Sequence, residues 1–407
     1  MLRIVLCSAD PPHLAQLRCA PGEGACDRRN VASRMTPSQR LPSSLTSLEA
    51  ALALLRDGVV AVTPCEVALA DAQGSIAATM RPRPKTPARD IAIADGFALA
   101  SRDLVGASSY APLPLSAAPV WVEAGDTMPD GTDCVVDADL VDASGPLIQV
   151  VAEAIPGEGV RRAGSDGLQS APDAGHPIRP LDLLAARAAG LTTLMVRQPR
   201  LRLINVPAAD GSGITAQLIA DLARAEGADV TRIDAHGRDA GSIAAALDSN
   251  ACDLLVTIGG SGVGRSDATI AALAQAGTVP AHGLALQPGR STAIGKINTT
   301  PVIALPGAPD QALAAWWTLA LPLLDRLSGR VARATETLPL ARKIASSVGV
   351  AEIALLQRVE NNWLPLAVGE LALAAIARAD AWCTVPAGSE GYAAAAPVDA
   401  YMLGDRM

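Results

Sequence analysis

Four glycines in six residues, Gly259-Gly260-Ser261-Gly262-Val263-Gly264, follow an apolar stretch and stand just before Asp267. Such a turn suits an anion. Without Cβ atoms the backbone N–H groups approach phosphate closely, and a helix opening after the turn adds the positive end of its dipole. Two other places carry groups of interest. Asp95-Gly96 is a turn headed by a carboxylate, a pattern that an Asx-turn would also produce. Arg161-Arg162-Ala163-Gly164-Ser165-Asp166 sets two guanidinium groups and a carboxylate beside a glycine, as a solvated turn would. Glycine-rich strand-to-helix turns also occur without ligands, so the turn alone fixes no function.

Two phosphate-binding fingerprints can be tested on it. A dinucleotide-binding G-x-G-x-x-G fails, because Gly262-x-Gly264 is followed at the needed position by Asp267. A P-loop comes closer, with Gly259 and Gly264 correctly spaced, but Arg265-Ser266 replaces its Lys-Ser. A forked guanidinium does not replace a compact ammonium threaded to terminal phosphates, so a nucleotide-hydrolysing P-loop is not expected.

The elements that must position the turn can be read from periodicity. Residues 253–258 form the apolar strand delivering it, and a helix is expected to open at Asp267 and run through 276. Strands at 201–206 and 229–233 alternate with helices at 214–226 and 242–247; strand material at 284–286 and 302–305 and a long helix over 309–327 follow. This βαβ rhythm predicts a doubly wound α/β domain, a parallel sheet covered by helices on both faces, with ligands collecting at the carboxyl ends of its strands. The candidate loops there are 207–213, 236–239, 259–267 and 305–309.

Upstream, Thr46-Ser47-Leu48-Glu49 has the form of a capping box, with Thr46 as N-cap of a helix through Leu55. Strand-like residues 59–69 and a helix around 74–79 come next. Prolines then force 81–88 into extended backbone. Short strands at 119–123, 134–137, 148–152 and 194–197, separated by turn signals, point to a small β-rich region, and 180–190 reads as a helix. The final residues, 332–407, combine strands at 353–359 and 363–368, a helix at 371–379 and further strand-like segments.

A chain of 407 residues exceeds one ordinary core, so two to four domains are expected. The formal charge of -8 argues against a nucleic-acid binder. No apolar run reaches the roughly 18 residues needed to span a bilayer, so no membrane partner is expected and the cytoplasm is the default compartment. The seven cysteines form no CxxC pair and no Cys/His ligand spacing, which supports neither a zinc site nor a disulfide framework. Residues 1–34 are aperiodic and polar and are expected to be a disordered or non-native extension, with a second start at Met35.

Several segments, in order, now carry a resemblance: DGFA at 95–98, AGDTMPDGTDCVV at 124–136, RRAGSD at 161–166, GRD at 237–239, GGSGVGRSD at 259–267, QPGR at 287–290, GK at 295–296, LPGAP at 305–309 and VPAGSEG at 385–391. Together they resemble the molybdopterin molybdenumtransferase family, of the MoeA or gephyrin E-domain type. The resemblance implies an elongated β region over 35–200 with an inserted β domain at about 88–160, a molybdopterin-binding α/β domain over 201–330 and a C-terminal β domain over 331–407. It also implies insertion of molybdate into adenylylated molybdopterin with release of AMP, aided by Mg²⁺. A homodimer is implied, with the site between the central domain of one subunit and the N-terminal regions of the other. A molybdoenzyme or an upstream adenylyltransferase is the candidate partner.

Carried over by position, Asp95, Asp166, Asp239 and Asp267 are the expected catalytic carboxylates, and Asp239 and Asp267 the expected Mg²⁺ ligands. Gly259, Gly260, Ser261, Gly262, Gly264, Arg161, Arg290, Lys296, Pro306, Gly307 and Pro309 are the expected ligand-binding set. The departures fall on polar positions. The family's TGDE after the first central strand is absent, with Asp210 nearby as a substitute; Ala124 replaces a threonine, Gly262 a serine and Gln287 a lysine. These losses motivate an alternative function, a catalytically weakened paralogue that binds molybdopterin or the finished cofactor and delivers it to a molybdoenzyme.

Overall fold

Six strands form the central sheet, in the spatial order Asp229–Asp234, Arg200–Asn205, Leu254–Ile258, Thr300–Leu305, Ala293–Ile297, Thr278–His282. The first four run parallel. The last two are antiparallel to their neighbours, so the sheet is mixed where the sequence pattern predicts a wholly parallel one. This antiparallel pair escapes the periodicity because Thr278, Pro280, Gly295 and Lys296 dilute its apolar alternation. The computed structural model describes residues 39–42, 44–78, 86–166, 174–208, 211–250 and 252–404. The expected extension over 1–34, most of the proline-rich stretch 81–88 and Asp210 lie outside the described residues.

Alternation along the strands sorts their side chains between two cores. Leu201, Leu203, Leu254 and Val256 pack with Ile219 of helix Ile214–Ala225 and Leu313 of helix Pro309–Ala315 on one face. Ile204, Leu255, Val302 and Ala304 pack with Ile243 of helix Ala240–Ala246 and Leu273 of helix Thr269–Ala276 on the other. Both faces are therefore covered, as a doubly wound domain requires. The long helix predicted over 309–327 is three consecutive pieces, with a π-helical segment Trp316–Ala320 between Pro309–Ala315 and Leu321–Ser328. Trp317 of that segment stacks on Trp382 at 5.3 Å between ring centroids, and Trp382 on Tyr401 at 4.9 Å, joining the central helices to the C-terminal sheet.

That second sheet orders Leu286–Gln287, Ala351–Val359, Ala381–Val385, Pro397–Met402 and Glu336–Pro339, with Asn362–Val368 paired to the second. Residues 284–286 were expected in the central sheet; Leu286 instead pairs with Ala351. A network ties the chain between the two sheets to the central helices. Arg333 bonds both Asp325 and Glu226, and Arg330 also reaches Glu226 at 2.6 Å.

The N-terminal half builds small sheets, notably Val120–Val122 with Gly96–Leu99 and Cys134–Val136, and Cys65–Ala68 with Thr193–Arg197 and Ile76–Ala77. The helix expected around 74–79 is thus strand, because Ile76 and Ala77 pair with Arg197 and Val196 and are fully buried. Only Cys65–Ala68 of the strand expected over 59–69 pairs. The first helix is Leu48–Arg56 and its N-cap is Ser47, whose hydroxyl accepts from Ala50 N–H at 3.2 Å. Thr46, the expected cap, bridges instead to the loop before the C-terminal sheet, with its N–H on the Gly283 carbonyl.

Candidate functional site

Two neighbouring cavities open near the carboxyl ends of the parallel strands, with Gln311 in the wall of both. The first, of 260 Å³, is bounded by Asn205 and Val206, the turn Gly259 to Gly262, Pro306 and Gly307, and by Thr215, Arg238 and Asp267. It lies where the connections from strand Arg200–Asn205 and strand Leu254–Ile258 part to opposite sides of the sheet, the usual crevice of such folds.

The turn is shaped by its glycines. Gly259 and Gly260 have φ of +92° and +68°, the left-handed region that side chains disfavour. Thr269 fastens it from behind, its hydroxyl donating to the Gly259 carbonyl at 2.8 Å and its N–H to that of Gly260 at 3.1 Å. Thr215 fastens the opposite wall through the Gly307 carbonyl at 2.7 Å.

The helix behind the turn begins at Thr269, not Asp267, and no local side chain caps it. Its acceptor comes from far away in sequence. Gln39 Oε1 accepts from Ile270 N–H at 2.7 Å and Ala271 N–H at 3.4 Å, while Nε2 donates to the carbonyls of Gly260 and Gly262 at 3.0 and 2.9 Å. The helix-terminal N–H groups expected to grip an anion are therefore engaged by an amide side chain.

Asp267 folds back into the glycine turn. Its Oδ2 accepts the Gly264 N–H at 2.9 Å and its Oδ1 lies 3.4 Å from Nη2 of Arg238. This explains Gly262 locally: a Cβ there would stand 2.6 Å from Asp267 Oδ2, so the carboxylate occupies the room a side chain would need. Arg238, which sequence inspection passed over inside the GRD segment, also donates from Nη1 to the Pro207 carbonyl at 2.8 Å, and its Nε is buried without a partner. Ser261 is 1% exposed and its hydroxyl is likewise buried and unpartnered.

The remaining expected residues are dispersed. Asp239 N-caps helix Ala240–Ala246, accepting from Ser242 N–H at 2.9 Å and Ser242 Oγ at 2.6 Å. The Ser242 hydroxyl holds its carboxyl below the usual range, and Asp239 lines neither cavity. Asp267 is paired to Arg238, and among the described residues no group of three or more His, Cys, Asp or Glu is placed to hold a metal.

Arg290 and Pro309 line the second cavity, of 690 Å³, with Gln287 and residues 369–373. Lys296 pairs across strands with Pro301, near the amino end of the parallel sheet, about 13 Å of strand rise from Leu305 and the glycine turn. Asp95 Oδ1 accepts the Ala124 N–H at 2.8 Å, a cross-loop bond in place of an Asx-turn. Arg161 and Asp166 form an exposed ion pair at 3.3 Å. Asp95, Arg161 and Asp166 line neither of these two cavities.

Residues 212–326, which include the glycine turn, match the family described as a probable molybdopterin binding domain, and residues 46–190 match the MoeA N-terminal region (domain I and II). The chain belongs to the MoeA-type family. Among MoeA-type relatives, molybdopterin molybdenumtransferase 2 of Mycobacterium tuberculosis is 27% identical over 310 residues, 66% of this chain and 76% of that protein. The molybdopterin molybdenumtransferase of Synechococcus elongatus is 27% identical over 364 residues, 78% of this chain and 89% of that protein. A molybdopterin biosynthesis MoeA protein from Pyrococcus horikosii superposes with a TM-score of 0.65 at 23% identity, over 89% of this chain and 100% of that one, which shows the MoeA fold. No helix among the described residues is long and apolar enough to cross a membrane.

Proposed function

We propose that this MoeA-type chain acts in molybdenum cofactor biosynthesis, binding molybdopterin in the glycine-turn cleft and inserting molybdate into its adenylylated form with release of AMP. The observation that carries the reading is the place of the cleft. It sits at the switch point of the α/β sheet, and most of its wall belongs to the segment matching a probable molybdopterin binding domain.

The cleft wall offers a buried, unpartnered hydroxyl at Ser261, the guanidinium of Arg238 and glycine backbone for close approach. These suit a terminal phosphate. The larger cavity, which has Gln311 in its wall as the first does and carries Arg290, suits the adenylyl part. Breaking a phosphoanhydride in such a site asks the protein for positioning and charge compensation more than for covalent chemistry. In a homodimer, a second copy would supply Asp95, Arg161 and Asp166, which a single chain leaves away from the cleft.

The test is reconstitution of the purified full chain with adenylylated molybdopterin, molybdate and Mg²⁺, following AMP by chromatography and pterin binding by fluorescence. AMP release that depends on the chain is the expected result. Pterin binding without AMP release would favour the carrier alternative. Absence of binding to either pterin form would overturn both.

A further inference from the structure

We propose that Gln39 is a positioning residue of the glycine-turn cleft: it holds carbonyls of the turn away from the ligand, so that N–H groups of the turn meet the ligand already aligned. The inference rests on the molybdopterin reading of that cleft. Gln39 lies ahead of both matched segments, 46–190 and 212–326, so neither family description covers it.

The Gln39 amide is fully used within the chain. Its Nε2 carries two protons and donates to two carbonyls, those of Gly260 at 3.0 Å and Gly262 at 2.9 Å. Its Oε1 accepts the Ile270 and Ala271 N–H groups at 2.7 and 3.4 Å. The carbonyl between, that of Ser261, is held by His282. The His282 Nε2 lies 2.9 Å from this oxygen, which can only accept, so that nitrogen carries a proton. With the Thr269 hydroxyl on Gly259, four consecutive carbonyls of the turn are fastened. Neither Gln39 nor His282 lines either cavity, so both act from behind the turn.

Peptide geometry carries the consequence to the cleft. In a trans peptide the C=O of one residue and the N–H of the next point in opposite directions. Drawing the Gly260 and Ser261 carbonyls toward Gln39 and His282 therefore turns the N–H groups of Ser261 and Gly262 the other way. Both residues belong to the cleft wall, and among the described residues these two N–H groups have no hydrogen-bond partner. Glycine loses the most conformational freedom on ordering, so a turn this rich in it binds best when it is fixed before the ligand arrives. The segment that bears Gln39 is itself anchored beside His282. Leu41, Pro42 and Leu45 close over Gly283, where a Cβ would stand 3.1 to 3.3 Å from them, and Thr46 N–H donates to the Gly283 carbonyl at 3.0 Å.

The test titrates the full chain with molybdopterin by fluorescence, at a temperature where circular dichroism shows each variant fully folded. Gln39→Met keeps the length of the side chain and removes both hydrogen-bonding ends. It should weaken binding by about tenfold or more, the loss expected for one charge-assisted hydrogen bond. Gln39→Asn keeps the amide but is one methylene short; it should fall between, and it carries the test should the methionine variant fail to fold. Arg333→Leu, which breaks the ion pairs to Glu226 and Asp325, gauges lost stability alone. It should be at least as destabilised in urea and still bind like wild type. Gln39 variants that bind as tightly as wild type or more tightly, or Arg333→Leu weakened as much as Gln39→Met, would overturn this proposal and leave the functional reading standing. A wild-type chain that does not bind molybdopterin would overturn the functional reading and this proposal with it.

Discussion

Replacing Gly262 by alanine probes how the glycine turn is built. Gly262 does not use the left-handed region, so the backbone alone would tolerate alanine and gain about 0.4–1 kcal/mol from a less flexible unfolded chain. The new Cβ, however, would stand 2.6 Å from Asp267 Oδ2, a distance no real contact shows. Asp267 must rotate away, giving up the 2.9 Å bond from Gly264 N–H and its pairing with Arg238. A hydrogen bond to a charged group contributes about 1.5–3 kcal/mol. The balance is a loss of about 1–2 kcal/mol, readable as a lower urea midpoint at unchanged m-value. Asp267→Ala provides the control: without the carboxylate, Gly262→Ala should be neutral or slightly stabilising, so a double-mutant cycle should return a coupling of about 1.5 kcal/mol or more. Equal destabilisation by Gly262→Ala in both backgrounds would refute the claim that Asp267 occupies that space.

Other consequences follow from single contacts. Gln39→Ala removes an amide that serves two carbonyls and two N–H groups of the turn and helix; a loss of about 2 kcal/mol and faster hydrogen exchange at Ile270 are expected. Ser242→Ala should raise the Asp239 carboxyl toward its ordinary value in a carboxyl NMR titration. A carboxyl depressed in the folded state stabilises fully above its unfolded value, and that contribution fades as pH falls through the folded value. The variant's stability should therefore depend less on pH below about 4 than that of wild type. Arg333→Leu strands Asp325 and half-strands Glu226 between the two sheets, and should cost about 3 kcal/mol in chemical denaturation.

The pattern in the sequence was informative where structure is local. Residues 253–258 are uniformly apolar and lead into glycines, and the chain indeed delivers a left-handed turn there from a fully buried strand. The alternation of strands and helices from 200 onward likewise follows from periodicity. What stayed hidden depends on partners remote in the chain. The cap of helix Thr269–Ala276 is Gln39, more than two hundred residues away, so inspection placed the helix start at the nearest carboxylate, Asp267. Ile76 and Ala77 are strand because Val196 and Arg197 pair with them, a fact their local propensity does not carry. Arg238 stood in plain view beside Asp239, but only the fold turns the arginine toward the cleft wall and leaves the aspartate as a helix cap. Lys296 illustrates the opposite error. A cation near in sequence to the QPGR loop faces the far end of the sheet, because strand Ala293–Ile297 carries it away from the turn.

Hydrogen exchange of the full chain with and without molybdopterin tests most directly where the ligand sits. Binding in the glycine-turn cleft predicts slowed exchange in peptides covering Gly259 to Gly264 and Val206 to Arg238, with the antiparallel strands around Lys296 unchanged. Protection at Lys296 and none at the glycine turn, with the pterin demonstrably bound, would contradict it.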